Sequence, residues 1–141
     1  MLTGSYAHSL DAKGRLVLPA RFRASLGLDL FVTKGLHGCL WVFGQDDWQQ
    51  LVAKLTSGSM VNPEVLALQR FFLGFAADCH PDDVGRVSIP ELLRQYAGIQ
   101  RDVITIGAGN RLEIWALERW ETYNGGLTDD EIQRLGQKLQ L

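Results

Sequence analysis

The sequence predicts an α+β fold, mainly β, in which two copies of one unit interleave as a pseudo-symmetric small β-barrel with short helices. Three observations carry this expectation. First, Leu-Asp-Ala-Lys-Gly-Arg-Leu-Val-Leu-Pro-Ala-Arg-Phe-Arg at residues 10–23 returns as Pro-Asp-Asp-Val-Gly-Arg-Val-Ser-Ile-Pro-Glu-Leu-Leu-Arg at 81–94. At a constant offset of 71, Asp11 falls on Asp82, Gly14 on Gly85, Arg15 on Arg86, Pro19 on Pro90 and Arg23 on Arg94. Second, the apolar frame repeats with it, Leu16 matching Val87, Leu18 matching Ile89 and Phe22 matching Leu93. Third, the copies at residues 4–55 and 76–124 are each only about 50 residues long, too small to bury a sufficient core alone. Two copies are also too few for a solenoid, so the halves must pack against each other.

Each element follows from local chemistry. Residues 14–18 and 85–89 read as short strands leaving a glycine turn and stopped by Pro19 and Pro90, which start short helices at Ala20–Leu26 and Glu91–Ala97. Gly27 and Gly98 end these helices. Leu30–Thr33 and Cys39–Phe43 flank a Gly35/Gly38 turn, and Val103–Ile106 and Leu112–Trp115 flank Gly107-Ala108-Gly109-Asn110, giving one hairpin per copy. Trp48 and Trp120 then match at an offset of 72, on helices that close the copies. Asp46 and Gln49 have capping-box spacing for the first, with Trp48, Leu51, Val52 and Leu55 on its apolar face. Residues 56–75 form a linker, loose from Thr56 to Met60, and an interlobe helix that starts at Asn62-Pro63. That helix, read as 64–77 with Val65, Leu68, Phe71, Phe72 and Phe75, is apolar over half its surface and is expected to be buried. Thr128 and Glu131 open a last helix within 127–141, a candidate subunit contact.

Composition excludes several classes. The 141 residues are 46% hydrophobic, with no apolar run long enough to span a membrane and no basic-then-apolar leader, so a cytoplasmic protein is expected. Cys39 and Cys79 are too few for a disulfide framework. The net charge is −2, but its distribution matters more. Lys13, Arg15, Arg21 and Arg23 against Asp11 leave residues 1–24 at +3, whereas Arg86 and Arg94 against Asp82, Asp83 and Glu91 leave residues 79–95 at −1.

The repeated Asp-x-x-x-Arg is the candidate site. Gly14 permits a tight loop, and Asp11 is placed to hold Arg15 by a bidentate charge-assisted bond, orienting it toward phosphate or guanine edges. Lys13 adds a charge at the tip. Arg21 and Arg23 lie on different faces of the next helix, so one of them is expected to join the site. The alternative is a loop-stapling salt bridge with no ligand. An aspartate dyad of Asp11 and Asp82 would need a Thr-Gly or Ser-Gly after each carboxylate, and neither has it. His8, His37, Cys39, Cys79 and His80 show no metal-ligand spacing. No catalysis and no cofactor are expected.

The segment Tyr6-Ala7-His8-Ser9-Leu10-Asp11-Ala12-Lys13-Gly14-Arg15 followed by Leu18-Pro19-Ala20-Arg21-Phe22-Arg23 resembles the N-terminal signature of the MraZ family, and with Asp82-x-x-x-Arg86 the resemblance covers nearly the whole chain. It implies two tandem SpoVT/AbrB-type swapped-hairpin domains and a DNA-binding transcriptional regulator, a repressor of the division and cell-wall gene cluster. It implies binding to tandem promoter direct repeats of double-stranded DNA by a ring-shaped homo-oligomer associated with the nucleoid. Carried over, the DNA-contacting arginines are Arg15 and Arg86 with Asp11 and Asp82 as their partners, and the nearby cations Lys13, Arg21, Arg23 and Arg94 complete the expected DNA-binding set. The second copy departs by having Val84 for Lys13 and acidic Asp83 beside Asp82, so Arg15 is expected to contact DNA more strongly than Arg86. The alternative is an antitoxin-like or other protein-binding module of the same superfamily, with the loops as structural salt bridges.

Overall fold

Gly14 and Pro19, and Gly85 and Pro90, bound the two ribbon strands of the repeat. In the computed structural model, which describes residues 1–58 and 60–141, the first copy runs β1 (Ser5–Ser9), β2 (Arg15–Val17), α1 (Ala20–Leu26), β3 (Leu30–Lys34), β4 (Leu40–Phe43), α2 (Gln45–Thr56) and α3 (Pro63–Phe72). The second runs β5 (Ala77–Cys79), β6 (Arg86–Ser88), α4 (Glu91–Ala97), β7 (Asp102–Gly107), β8 (Leu112–Ala116), α5 (Leu117–Gly125) and α6 (Asp129–Gln137). The expected Thr56–Met60 linker includes Ser59, which lies outside the described residues.

The copies exchange strands. One six-stranded sheet has the order β1-β7-β8-β4-β3-β5, which is pseudo-twofold about the β8–β4 pair. Each copy lends its first strand to the other copy's hairpin: Ser5–Ser9 of β1 pairs antiparallel with Ile106–Asp102, and Leu30 of β3 pairs with Cys79 of β5. A second, two-stranded ribbon joins β2 to β6, with Leu16 opposite Val87. Both layers close on one core in which Leu16, Leu18 and Phe22 meet Val87, Ile89 and Leu93 beneath the sheet residues Leu30, Val32, Leu40, Val103, Leu112 and Ile114. Neither copy encloses a core of its own.

Four expectations are corrected. The fold is mixed rather than mainly β, for among the described residues the six α-helices hold more residues than the strands. Among the described residues the barrel does not close: β1 and β5 remain edges of the sheet, and β2 and β6 pair only with each other. The reason is strand length, since Pro19 and Pro90 stop β2 and β6 within two residues of their ends and have no N–H to continue a ladder. The interlobe helix is not buried through its length. It ends at Phe72, where Leu73 and Gly74 bond back to Gln69 and Arg70, and Ala77 is already strand. Phe72 is buried against Thr33, whose hydroxyl donates to its carbonyl at 2.5 Å, while Leu68 and Phe75 are exposed. Finally, α2 starts at Gln45 behind Gly44 with no side-chain cap, so Asp46 and Gln49 form no capping box. A side chain at position 44 would meet the Leu26 carbonyl at 2.6 Å, and this close approach demands glycine. Thr128 does cap α6, accepting from the Glu131 N–H at 3.1 Å.

Strands β1 and β5 were not legible locally. Ser5–Ser9 is polar and mostly exposed, and becomes a strand because β7 offers it a free edge. The tryptophans divide: Trp115 is buried, whereas Trp41, Trp48 and Trp120 are half-buried between helices and sheet. Trp48 stacks on Phe31 at 5.2 Å and Trp120 meets Trp115 edge-on at 5.4 Å.

Candidate nucleic-acid interface

The two Asp-x-x-x-Arg segments fold into nearly identical turns. Asp11 Oδ1 accepts from the backbone N–H of Lys13 and of Arg15, both at 2.9 Å, and Asp11 Oδ2 accepts from Arg15 Nε at 2.7 Å. Asp82 Oδ1 accepts from Val84 N–H at 3.1 Å and Arg86 N–H at 2.8 Å, and Asp82 Oδ2 accepts from Arg86 Nε at 2.6 Å. The backbone closes each turn identically, with Gly14 N–H donating to Asp11 and Gly85 N–H to Asp82. Gly14 and Gly85 sit at φ 74 and φ 85, the left-handed region that excludes most side chains.

The expected bidentate salt bridge is not what forms. One carboxylate oxygen is spent on the backbone, so only Nε of each arginine is held. The remaining guanidinium N–H groups of Arg15 and Arg86 have no partner among the described residues. Both arginines stay partly exposed, at 28% and 38% of the side chain. The result is an arginine fixed at its root with its planar fork free, a geometry suited to phosphate or to a guanine edge.

Tertiary structure pairs the turns. Leu16 and Val87 point inward from the ribbon, so strand alternation puts Arg15, Val17, Arg86 and Ser88 on its outward face. Arg15 lies across from Ser88 and Arg86 across from Val17, leaving the arginines diagonal, roughly 7 Å apart along the ribbon. The ladder extends into the turns, because Leu18 N–H donates to Gly85 and Ile89 N–H donates to Gly14, each at 3.0 Å.

Arg23 and Arg94 join by a reciprocal crossing that nothing in the linear sequence announces. Arg23 Nε donates to its own copy's Leu18 carbonyl at 3.1 Å, yet its guanidinium lies against Gly85 of the other turn. Arg94 Nε donates to Ile89 at 3.0 Å and packs against Gly14. A side chain at either glycine would collide with these groups at 2.7–2.8 Å. Arg21 goes elsewhere: its guanidinium lies by Gly4 and over the Phe22 ring at 4.6 Å. Lys13 is exposed at its turn tip, and its ammonium has no ion pair among the described residues. The structure therefore brings together Asp11, Arg15, Arg94 and Asp82, Arg86, Arg23, with Lys13 at one tip and Arg21 apart. Val17 and Ser88 share this outward face and were missed; strand alternation outward from the buried Leu16 and Val87 was the signal for them.

The backbone N–H of the following arginine is the main cause holding each carboxyl of Asp11 and Asp82 below its ordinary 3.8, so both are ionised at neutral pH. Burial pushes the Cys39 thiol up to about 12 and Cys79 to about 11, which keeps both protonated at neutral pH. His8, half-buried, is lowered by desolvation and shares a 2.8 Å hydrogen bond with Thr105. His80 is exposed beside Asp29 at 3.3 Å.

Fold and site together define a duplicated, pseudo-twofold protein that presents a pair of arginine turns on one ribbon. The chain belongs to the MraZ family. The family model described as "MraZ protein, putative antitoxin-like" matches residues 1–71 and again residues 72–134, in step with the duplication. Among curated relatives, a protein of Heliobacterium modesticaldum is 46% identical over 124 residues, 88% of this chain and 87% of that protein. One from Syntrophomonas wolfei is 47% identical over 124 residues, again 88% and 87% of the two chains. One from Thermoanaerobacter sp. is 42% identical over 139 residues, 99% of this chain and 96% of that protein. All three bear the name "Transcriptional regulator MraZ", and none an enzyme's. No helix among the described residues is long and apolar enough to cross a membrane.

Proposed function

We propose that the chain regulates transcription by gripping double-stranded DNA with the β2–β6 ribbon, and that it carries out no catalysis. One observation carries this reading: two congruent turns hold Arg15 and Arg86 by Nε alone, on the same outward face, with the rest of each guanidinium available. Arg23 and Arg94 back the turns with further positive charge. Phosphate attraction through so few cations is weak and salt-sensitive, so a single chain needs neighbours. Linking sites multiplies affinity by about 10²–10⁴, which favours a homo-oligomer that engages tandem direct repeats. The apolar residues Ile132 and Leu135 of α6, with Leu139 just past its end, are exposed and supply a candidate subunit contact.

The rest of the reading follows the family resemblance: units 4–55 and 76–124 as SpoVT/AbrB-like swapped-hairpin domains, repression of the division and cell-wall gene cluster, a ring-shaped assembly, and a cytoplasmic, nucleoid-associated location. The test is a gel shift with one and with several promoter repeats, repeated for Arg15→Ala and Arg86→Ala as salt is varied. Tandem sites bind more tightly than single ones, and each arginine contributes about 1–3 kcal/mol, Arg15 more than Arg86. Unchanged binding by both variants would leave the turns as staples and favour a protein-binding module that acts through the exposed face of α6.

A further inference from the structure

The two turns are alike in backbone and unlike at the tip. Lys13 and Val84 occupy the same place: each backbone N–H is bonded to the first oxygen of its turn's aspartate, at 2.9 and 3.1 Å, and each precedes a glycine with positive φ. The two side chains therefore leave their turns in the same direction. Val84 is 59% exposed although it is β-branched and apolar, and it sits beside Asp83, whose charge repels phosphate. A rigid turn that displays an apolar group next to a carboxylate gains nothing from a phosphate chain. The edge of an A·T pair, by contrast, presents an uncharged C5-methyl group in the major groove.

On the reading that the ribbon binds duplex DNA, we propose that the second turn is the specificity-determining half of the site, with Val84 packing against a thymine methyl while the Lys13 turn supplies the charge-driven grip. The tip is already held by the backbone N–H groups of Val84 and Arg86 donating to Asp82, so little ordering entropy opposes the contact. Arg86, rooted two residues on, reaches the same groove and sets the register of Val84 along it.

The probe is a duplex selected by the wild-type chain from a random-sequence library, compared with versions in which each thymine in turn becomes deoxyuridine, lacking only the methyl group. Wild type loses about fourfold in affinity at one thymine position, the amount expected for one buried methyl-sized group. Val84→Ala binds the parent duplex about that much more weakly and shows no loss on the change to deoxyuridine, with an unaltered salt slope. Val84→Lys also loses methyl sensitivity but steepens the salt dependence. Equal methyl sensitivity in wild type and Val84→Ala, or none in wild type at any position, overturns the assignment while leaving the DNA-binding role of the ribbon intact. Failure of wild type to select any duplex would instead remove that role itself. Sedimentation of Val84→Ala at the wild-type size separates a DNA contact from a subunit contact; a changed size overturns the proposal.

Discussion

The first turn ends in Lys13 and the second in Val84, yet the hydrogen bonds around them match to within 0.2 Å. Three residues are enough to build the turn: an aspartate to accept, a glycine at positive φ and an arginine four positions on. The tip takes no part in that construction, so it is free to differ. The same separation recurs in the sheet. Thr33 and Thr105 occupy equivalent, fully buried positions, but Thr33 donates to the Phe72 carbonyl at the end of α3 while Thr105 meets His8 of the other copy. Duplication preserved the frame and let the contacts diverge.

The comparison can be broken at its foundations first. Leu16→Ala, at a fully buried position under the ribbon, costs about 2–5 kcal/mol. Val87→Ala, one carbon fewer lost at the matching site, costs less by roughly the 0.8 kcal/mol of a methylene group. Both are read from chemical denaturation, and a reversed order would show that the two strands are not equivalent. Next come the glycines. Gly14→Ala and Gly85→Ala each cost about 1–2 kcal/mol from positive φ alone, and each displaces the opposing arginine, Arg94 or Arg23. Equal losses in the two variants sharpen the congruence of the turns; a large inequality breaks it.

Charge should then separate what geometry does not. Lys13→Val makes the first tip like the second and lowers the slope of log affinity against log salt by about 0.9, one phosphate contact, in a titration at several salt concentrations. The smallest effects concern pH. The carboxyls of Asp11 and Asp82 lie below the ordinary 3.8, so their stabilisation is complete above that value and is lost only as pH falls through their lower folded values. These carboxylates therefore impose no change on duplex affinity between about pH 5 and 8. His8 acts in the neutral range: with its folded pKa lowered from 6.5, the unfolded state takes up protons first, and stability declines modestly as pH drops below 6.5. His8→Cys, which installs the residue found at the equivalent Cys79, removes that decline in melts at pH 7 and pH 5.5.

Legibility followed the range of the forces involved. Asp11, Gly14, Arg15 and their counterparts stood out because a turn is closed by residues within four positions of one another. The hairpins and the short helices after Pro19 and Pro90 were legible for the same reason. Strands β1 and β5 were not, since Ser5–Ser9 has neither the alternation nor the apolar content of an isolated strand. The apparent buried helix at 64–77 failed where Gly74 and the β5 pairing to β3 end it. The capping box at Asp46 and Gln49 was overridden by the approach of Gly44 to the Leu26 carbonyl.

The amino-acid order alone determined that there are two turns, that each roots an arginine on an aspartate, and that the charge lies in the first copy. Only tertiary structure decided that the turns belong to one surface. The short strands find their ladder partners in the other copy: β2 takes β6, β1 takes β7 and β5 takes β3. That exchange carries Arg23 and Arg94 under the opposite turns and sets Arg15 and Arg86 diagonally on one face of the ribbon.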